Sequence, residues 1–176
     1  MTRGRASKRA GRSKRGGRAA PTVSASGSGR LSARQAVSAS GSGRVSARQA
    51  QALVSAARDV RRDAHAPYSR FQVGAAVLDE RGRVHAGCNV ENASYGLTIC
   101  AERNAVAAAV AAGARSLRAV AIVTRERRPP ATPCGACRQV LAEFGDDEMP
   151  VLLAGPTGAA EQETLGALLP RAFRLG

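Results

Sequence analysis

A chain of 176 residues has room for one domain with a real core and little more. Its formal charge of +14 suggests a nucleic-acid binder until the charge is located: residues 1–50 carry 12 Lys and Arg and no acid, leaving 15 basic and 13 acidic residues for the rest. The charge therefore belongs to a tail, and a near-neutral body excludes a broad basic face as its main feature. No run approaches the roughly 20 apolar residues that span a bilayer, so no membrane partner is expected.

Residues 1–22 are Arg, Lys, Gly, Ala and Ser without apolar rhythm, and they bury too little surface to offset the entropy of ordering. A tandem 14-residue repeat follows: Val23 to Ala36 reads VSASGSGRLSARQA, and Val37 to Ala50 reads VSASGSGRVSARQA. Two Gly-Ser-centred copies are too few for a solenoid and read as a duplicated linker. Residues 1–46 are thus expected to be a disordered basic tail, and residues 47–176 a single domain. The tail's composition also fits a transit peptide, but its glycines break the amphipathic helix that a targeting signal needs. A cytoplasmic protein is the expectation.

Leu53, Val54, Ala57 and Val60 recur at helical spacing, which predicts a first helix from about Ser46 to Ala64, with Arg58, Arg61 and Arg62 facing water. Val73–Leu78 and Val84–Val90 flank a turn at Gly82 and predict a hairpin. Thr98 is placed to cap a helix from about Ile99 to Ala112, stopped by Gly113. Arg118–Thr124 reads as a buried strand and Thr132–Phe144 as a helix with Pro133 in its first turn. Val151–Ala154 reads as a strand and Leu165–Leu169 as a short last helix. The expected fold is α/β, with a mixed sheet flanked by helices on both faces in three layers.

Two of these helix starts carry the chemistry. Cys100-Ala101-Glu102 is followed some thirty residues later by Pro133-Cys134-Gly135-Ala136-Cys137. Three thiolates can hold a zinc ion and leave a fourth position for water, and a carboxylate two residues beyond a ligand can carry that water's proton. Both helix N-termini would aim their positive ends at the sulfurs and favour deprotonation. Plainer readings exist: cysteines buried as small hydrophobes, a thioredoxin-like redox pair, or a closed structural site completed by Cys88. A redox pair does not explain Glu102, and Cys88 lacks the paired spacing of zinc ribbons and is expected to be a buried strand residue. Asn89 and Glu91 read either as same-face strand residues pointing into a site or as a turn residue and a surface charge. Phe71 and Phe173 read equally as core. His65 and His85 show no partner spacing, and Arg138 and Gln139 read as surface or interface residues.

Taken together, Tyr68-Ser69-Arg70-Phe71 with Val73-Gly74-Ala75-Ala76, Gly87-Cys88-Asn89-Val90-Glu91-Asn92-Ala93, Cys100-Ala101-Glu102-Arg103 and Pro133-Cys134-Gly135-Ala136-Cys137-Arg138-Gln139 resemble the small homotetrameric cytidine deaminases over residues 50–173. The resemblance implies the cytidine deaminase-like fold, a homotetramer, and a Zn²⁺ cofactor on Cys100, Cys134 and Cys137. It implies Glu102 as proton shuttle and Arg103 as the cation offsetting the ligands' negative charge. It also implies substrate contacts from Phe71, Asn89, Glu91 and Ala101, with Asn89 and Glu91 on the sugar 3′-hydroxyl and Phe173 reaching a neighbouring subunit's site. Tyr95 would serve the site or the interface. The expected reaction is hydrolytic deamination of cytidine and 2′-deoxycytidine for pyrimidine salvage. The alternatives are a modified cytosine nucleoside as substrate, a nucleic-acid editor, or a non-catalytic zinc module. The basic tail is expected to give weak, sequence-independent nucleic-acid binding.

Overall fold

In the computed structural model, residues 45–125 and 129–175 are described. The expectations for the basic tail and the first repeat copy therefore fall outside the described residues. The end of the second copy does not. Ser46 caps α1 (Ala47–Val60): its hydroxyl accepts from the Gln49 N–H while the Gln49 side chain accepts from the Ser46 N–H, a reciprocal capping box. A 3-10 turn at Arg61–Asp63 ends this helix before Pro67.

The strands are β1 (Gly74–Asp79), β2 (Val84–Cys88), β3 (Leu117–Val123), β4 (Pro150–Ala154) and β5 (Glu161–Thr164). They form one sheet in the order β2-β1-β3-β4-β5. β3 and β4 are parallel, and every other neighbouring pair is antiparallel. The central strands are apolar on both faces because both are covered. Ala76 and Leu78 of β1, Ala119, Ala121 and Val123 of β3, and Leu152 and Ala154 of β4 pack under Leu53, Val54 and Ala57 of α1. The alternate residues Ala75, Val77, Val120, Ile122, Val151 and Leu153 pack on the opposite face against α2 (Ala101–Ala111), α3 (Gly135–Phe144) and α4 (Leu165–Leu168). The result is three layers, helix on sheet on helices.

Two glycines set how closely the layers approach. A Cβ on Gly74 would lie 2.0 Å from the Ala57 carbonyl oxygen, and one on Gly87 would lie 2.5 Å from the Ala105 backbone nitrogen. With the fully buried stripe Ala101, Ala105 and Ala109, Gly87 lets α2 lie almost on the sheet. That seats the N-terminus of α2, and the residues around it, at one edge of the core.

Several sequence expectations need correction. Thr98 does not cap α2; Cys100 is the N-cap residue, while the Thr98 hydroxyl accepts from the Asn92 N–H at 3.1 Å. Likewise Cys134 is the N-cap of α3, and Pro133 lies outside the helix. Of the arginines expected in water, Arg58 is half-buried and donates to the carbonyls of Gly155 (3.2 Å) and Gly158 (2.6 Å), and Arg61 is half-buried too. Cys88 ends β2 half-buried rather than buried. β5 was not foreseen, since Glu161-Gln162-Glu163-Thr164 is an exposed edge strand without apolar alternation.

Candidate active site

The site lies at the carboxyl end of β3, where Ile122 and Thr124 meet Val73 just before β1 and the N-termini of α2 and α3. A cavity of about 220 Å³ is lined by, among others, Phe71, Asn89, Glu91, Cys100, Ala101, Glu102 and Cys134. Six of the residues expected to contact metal or reactant from different parts of the sequence therefore converge with the proposed proton carrier on one space. Phe173 lies outside this cavity, 70% exposed on its own chain, with its carbonyl held by the Gln139 side chain at 2.7 Å.

Cys100, Cys134 and Cys137 bring their sulfurs within 4.8 Å of one another, and the Cys100 and Cys134 sulfurs are 4.0 Å apart. A tetrahedral zinc with Zn–S bonds of about 2.3 Å sets sulfurs about 3.8 Å apart, so a small closure suffices. Neither N-cap cysteine uses its side chain to cap its helix, which leaves both sulfurs for another partner. The Cys137 thiol, with Cys134 and the Arg103 guanidinium, holds Cys100 down to about 5 against the opposing effect of burial. Cys137, bonded to that thiolate and itself buried, is pushed far above the usual thiol range. One thiolate forms readily and Cys137 resists ionising beside it, an opposition that a divalent cation held by these sulfurs would remove.

Arg103 donates to the Thr98 carbonyl at 2.8 Å, yet its Nε is buried without a hydrogen-bond partner. Three such orphaned side-chain atoms occur among the described residues, and two belong here: Arg103 Nε and Thr124 Oγ1. An orphaned cationic donor beside three sulfurs fits a thiolate-bound metal, whose net charge would be negative. Glu102, 5% exposed, has its pKa raised by burial; its own N–H and the Cys137 thiol do not offset that. A carboxyl tuned upward in a cavity is suited to both taking and giving a proton.

The other wall is a loop held by two side chains. Asn89 Oδ1 accepts from the Val73 N–H at 2.8 Å, and Asn89 Nδ2 donates to the Phe71 carbonyl at 2.9 Å. Glu91 accepts from the N–H groups of Tyr68 (2.9 Å) and Ser69 (3.3 Å) and from the Ser69 hydroxyl. These bonds hold Glu91 below the usual carboxylate range, the Ser69 hydroxyl contributing most. The strand segment 89–91 is itself pinned on both sides. His65 N–H donates to the Asn89 carbonyl at 3.1 Å, Glu91 N–H donates to the His65 carbonyl at 2.8 Å, and Val90 exchanges backbone bonds with Ile99 at 2.9 and 3.0 Å.

Sequence reasoning overlooked several participants. Arg138 donates to the carbonyls of Pro133 and Leu168, each at 2.7 Å, and to the Thr132 hydroxyl at 3.0 Å, so it ties the loop bearing Cys134 to the end of α4. Val73, Thr98, Ile122, Thr124 and Thr132 also line the cavity. The one signal that could have found Thr124 is its position just past a buried strand next to a helix-capping ligand loop. His85, read as partnerless, bonds Asp79 at 3.0 Å far from the site.

Fold and site together define a class, the zinc-dependent hydrolytic deaminases, in which thiolates at helix N-termini hold the metal beside a buried carboxylate. The family model for the cytidine and deoxycytidylate deaminase zinc-binding region matches residues 47–153, and the chain belongs to that family. It is 50% identical over 113 residues to a cytidine deaminase of Sporosarcina psychrophila, covering 64% of this chain and 82% of that one. It is also 50% identical over 112 residues to the cytidine deaminase of Mycobacterium tuberculosis, covering 64% and 80%. The crystal structure of cytidine deaminase from Burkholderia pseudomallei aligns with a TM-score of 0.66 at 50% identity, over 70% of this chain and 98% of that one. The protein is accordingly a zinc-binding hydrolase.

Proposed function

We propose that this enzyme deaminates cytidine and 2′-deoxycytidine to uridine and 2′-deoxyuridine in pyrimidine salvage, as a cytoplasmic homotetramer. The observation that carries the reading is Glu102, buried in the first turn of α2 next to the three sulfurs and open to the same cavity. Cys100, Cys134 and Cys137 would hold the zinc, which would supply the Lewis acidity that makes water a nucleophile at neutral pH. Glu102 takes a proton from the attacking water and gives protons to ring N3 and the departing amine, so water and cytidine become uridine and ammonia. Phe71 lies against the pyrimidine, Ala101 borders it, and Asn89 and Glu91 face the sugar 3′-hydroxyl with the bonding capacity that the loop leaves free. Arg103 offsets the charge of the thiolate set.

A second cavity of about 420 Å³, lined by Tyr68, Ser69, Glu91, Asn92, Tyr95 and Thr98, shares its wall with the first. Among the described residues neither lining includes a Lys or Arg, and both include the Glu91 carboxylate. That favours a neutral nucleoside over a nucleotide, whose phosphate would meet a negative charge. Val90, Tyr95, Leu97 and Ile99 are exposed apolar residues beside this mouth, and they support the assembly of copies of this chain, with Phe173 reaching a neighbour's site. Free thiols at all four cysteines suit a reducing cytoplasm. Among the described residues no helix is long and apolar enough to cross a membrane.

The deciding experiment gives the purified protein cytidine, deoxycytidine, CMP and single-stranded DNA, follows deamination, and measures mass by light scattering. Turnover of both nucleosides by a tetramer is expected, with CMP a poor substrate. DNA should be bound through the basic tail, weakly and only at low salt, and left unedited. Deamination of the DNA in preference to the nucleosides would replace this reading with an editor.

A further inference from the structure

The loop carrying Phe71 and the carboxylate of Glu91 meet at one side chain that the reaction itself does not require. The Ser69 hydroxyl donates to Glu91 Oε1 and accepts from the Phe71 N–H at 2.9 Å. The Ser69 N–H reaches the other carboxylate oxygen, Oε2, at 3.3 Å, and the Tyr68 N–H reaches the same oxygen at 2.9 Å. Between Ser69 and Phe71 stands Arg70 at φ 55°, the one described non-glycine residue in the left-handed region. That backbone turn costs free energy in a residue with a Cβ and persists only where surrounding bonds enforce it. Here it turns the chain so that Ser69 faces Glu91 while Phe71 enters the cavity. Both Ser69 and Glu91 line the two adjoining cavities.

We propose that Ser69 is a positioning residue for sugar recognition: its hydroxyl locks the Glu91 carboxylate and the Phe71 wall into one rigid unit, so that sugar and base are read in fixed register. This rests on the reading of Glu91 as the partner of the sugar 3′-hydroxyl. A carboxylate has about four acceptor positions, and three donors already hold this one, so the remaining position is oriented before substrate arrives. Without the hydroxyl, Glu91 keeps its two backbone donors but loses the bond to Oε1, and Phe71 N–H loses its acceptor. Preorganisation then has to be re-established on binding, which acts on substrate affinity before it acts on the proton transfers at Glu102.

The test compares the parent enzyme with Ser69→Ala and Ser69→Thr on cytidine and 3′-deoxycytidine, with zinc content and thermal unfolding measured on each. The parent should prefer cytidine. Ser69→Ala should raise KM for cytidine by about tenfold, the effect of one lost charge-assisted bond, with a smaller change in kcat. Its KM for 3′-deoxycytidine should rise by much less, through the loosened Phe71 wall alone, so the preference shrinks. Ser69→Thr, which retains the hydroxyl, should restore most of it. Ser69→Ala with the parent's preference and KM would overturn the role of Ser69 while leaving the sugar reading intact. A parent that uses both substrates equally would remove the sugar reading and this proposal together. An equal loss on both substrates that Ser69→Thr fails to restore would reduce Ser69 to a folding residue and also reject the proposal.

Discussion

Among the described residues two carboxylates are buried, Asp79 at the hairpin end of β1 and Glu102 in the first turn of α2, and they are treated in opposite ways. Asp79, fully buried at the hairpin end, has a donor for every acceptor position. Oδ1 accepts from the N–H groups of Arg81 (3.0 Å) and Arg83 (2.8 Å), and Oδ2 accepts from Arg83 Nε (2.7 Å) and His85 Nε2 (3.0 Å). Burial alone would raise its pKa, but the bonds from His85, Arg83 and Arg81 outweigh it and hold the group well below the carboxylate range. Arg83 goes on to donate to the Ala112 carbonyl at 3.1 Å, joining the hairpin to the C-cap of α2. Glu102, at the other end of the same helix, has no such set of donors, and burial prevails. A saturated carboxylate stabilises the fold and stays ionised; an undersaturated one keeps a proton within reach of exchange and can work on a substrate.

Exchanging each carboxylate for its amide tests that contrast. The largest effect is expected from Glu102→Gln: turnover falls by roughly 10² to 10⁴ because the amide cannot accept the water's proton. Zinc content should be unchanged and the urea midpoint should not drop, both measurable on the same preparation. Near-full turnover would end the assignment of Glu102 as proton carrier. Asp79→Asn should show the inverse pattern, with kcat and zinc content at parent levels and stability lower by about 1 to 3 kcal/mol, the usual cost of leaving a buried hydrogen-bonding group unsatisfied. The pH dependence follows from the sign of the shift. A depressed folded pKa means that the contribution of Asp79 is complete above about pH 4, where the unfolded carboxylate is ionised, and is lost as pH falls towards the folded value. The variant should therefore lose less stability than the parent between pH 4 and pH 2 in denaturant titrations. Should its acid limb match the parent's, another group governs acid unfolding.

The smallest effect belongs to a polar group distant from both carboxylates. Ser46→Ala removes the hydroxyl that accepts from the Gln49 N–H, and stability should fall by about 1 kcal/mol with kcat and KM unaltered. A larger loss would mean that the start of α1 has a role beyond its cap. The last residues of the second repeat copy, Ser-Ala-Arg-Gln-Ala, thus begin the first helix of the domain, where the helical spacing from about Ser46 predicts it.

The residues of the candidate metal site were legible because their signal is local. Cys134 and Cys137 are three apart, the spacing of neighbours on one helix face, and Cys100 and Glu102 lie within two residues of each other at a single helix start. The strands β1, β3 and β4 were legible for a similar reason, as short apolar runs between turn residues. The exact caps were not. Thr98 is the better capping side chain by type, but Cys100 takes the position because residues 97–99 are committed to other bonds, among them the two backbone bonds between Ile99 and Val90.

What the sequence by itself determined was the three-layer α/β class, the two helix starts that hold the sulfurs, and the confinement of positive charge to a tail. All of these depend on neighbours within a few positions of one another or on composition. The tertiary structure alone decided which polar groups are satisfied and which are left for chemistry. Arg138 closes the ligand loop on a carbonyl 30 residues away, Arg58 reaches one 100 residues away, and β5 exists only because β4 offers it an edge. Hydrogen bonds of that reach leave no periodicity in the chain, because each joins side chains and carbonyls whose proximity is created by the packing of the apolar core and not by their spacing.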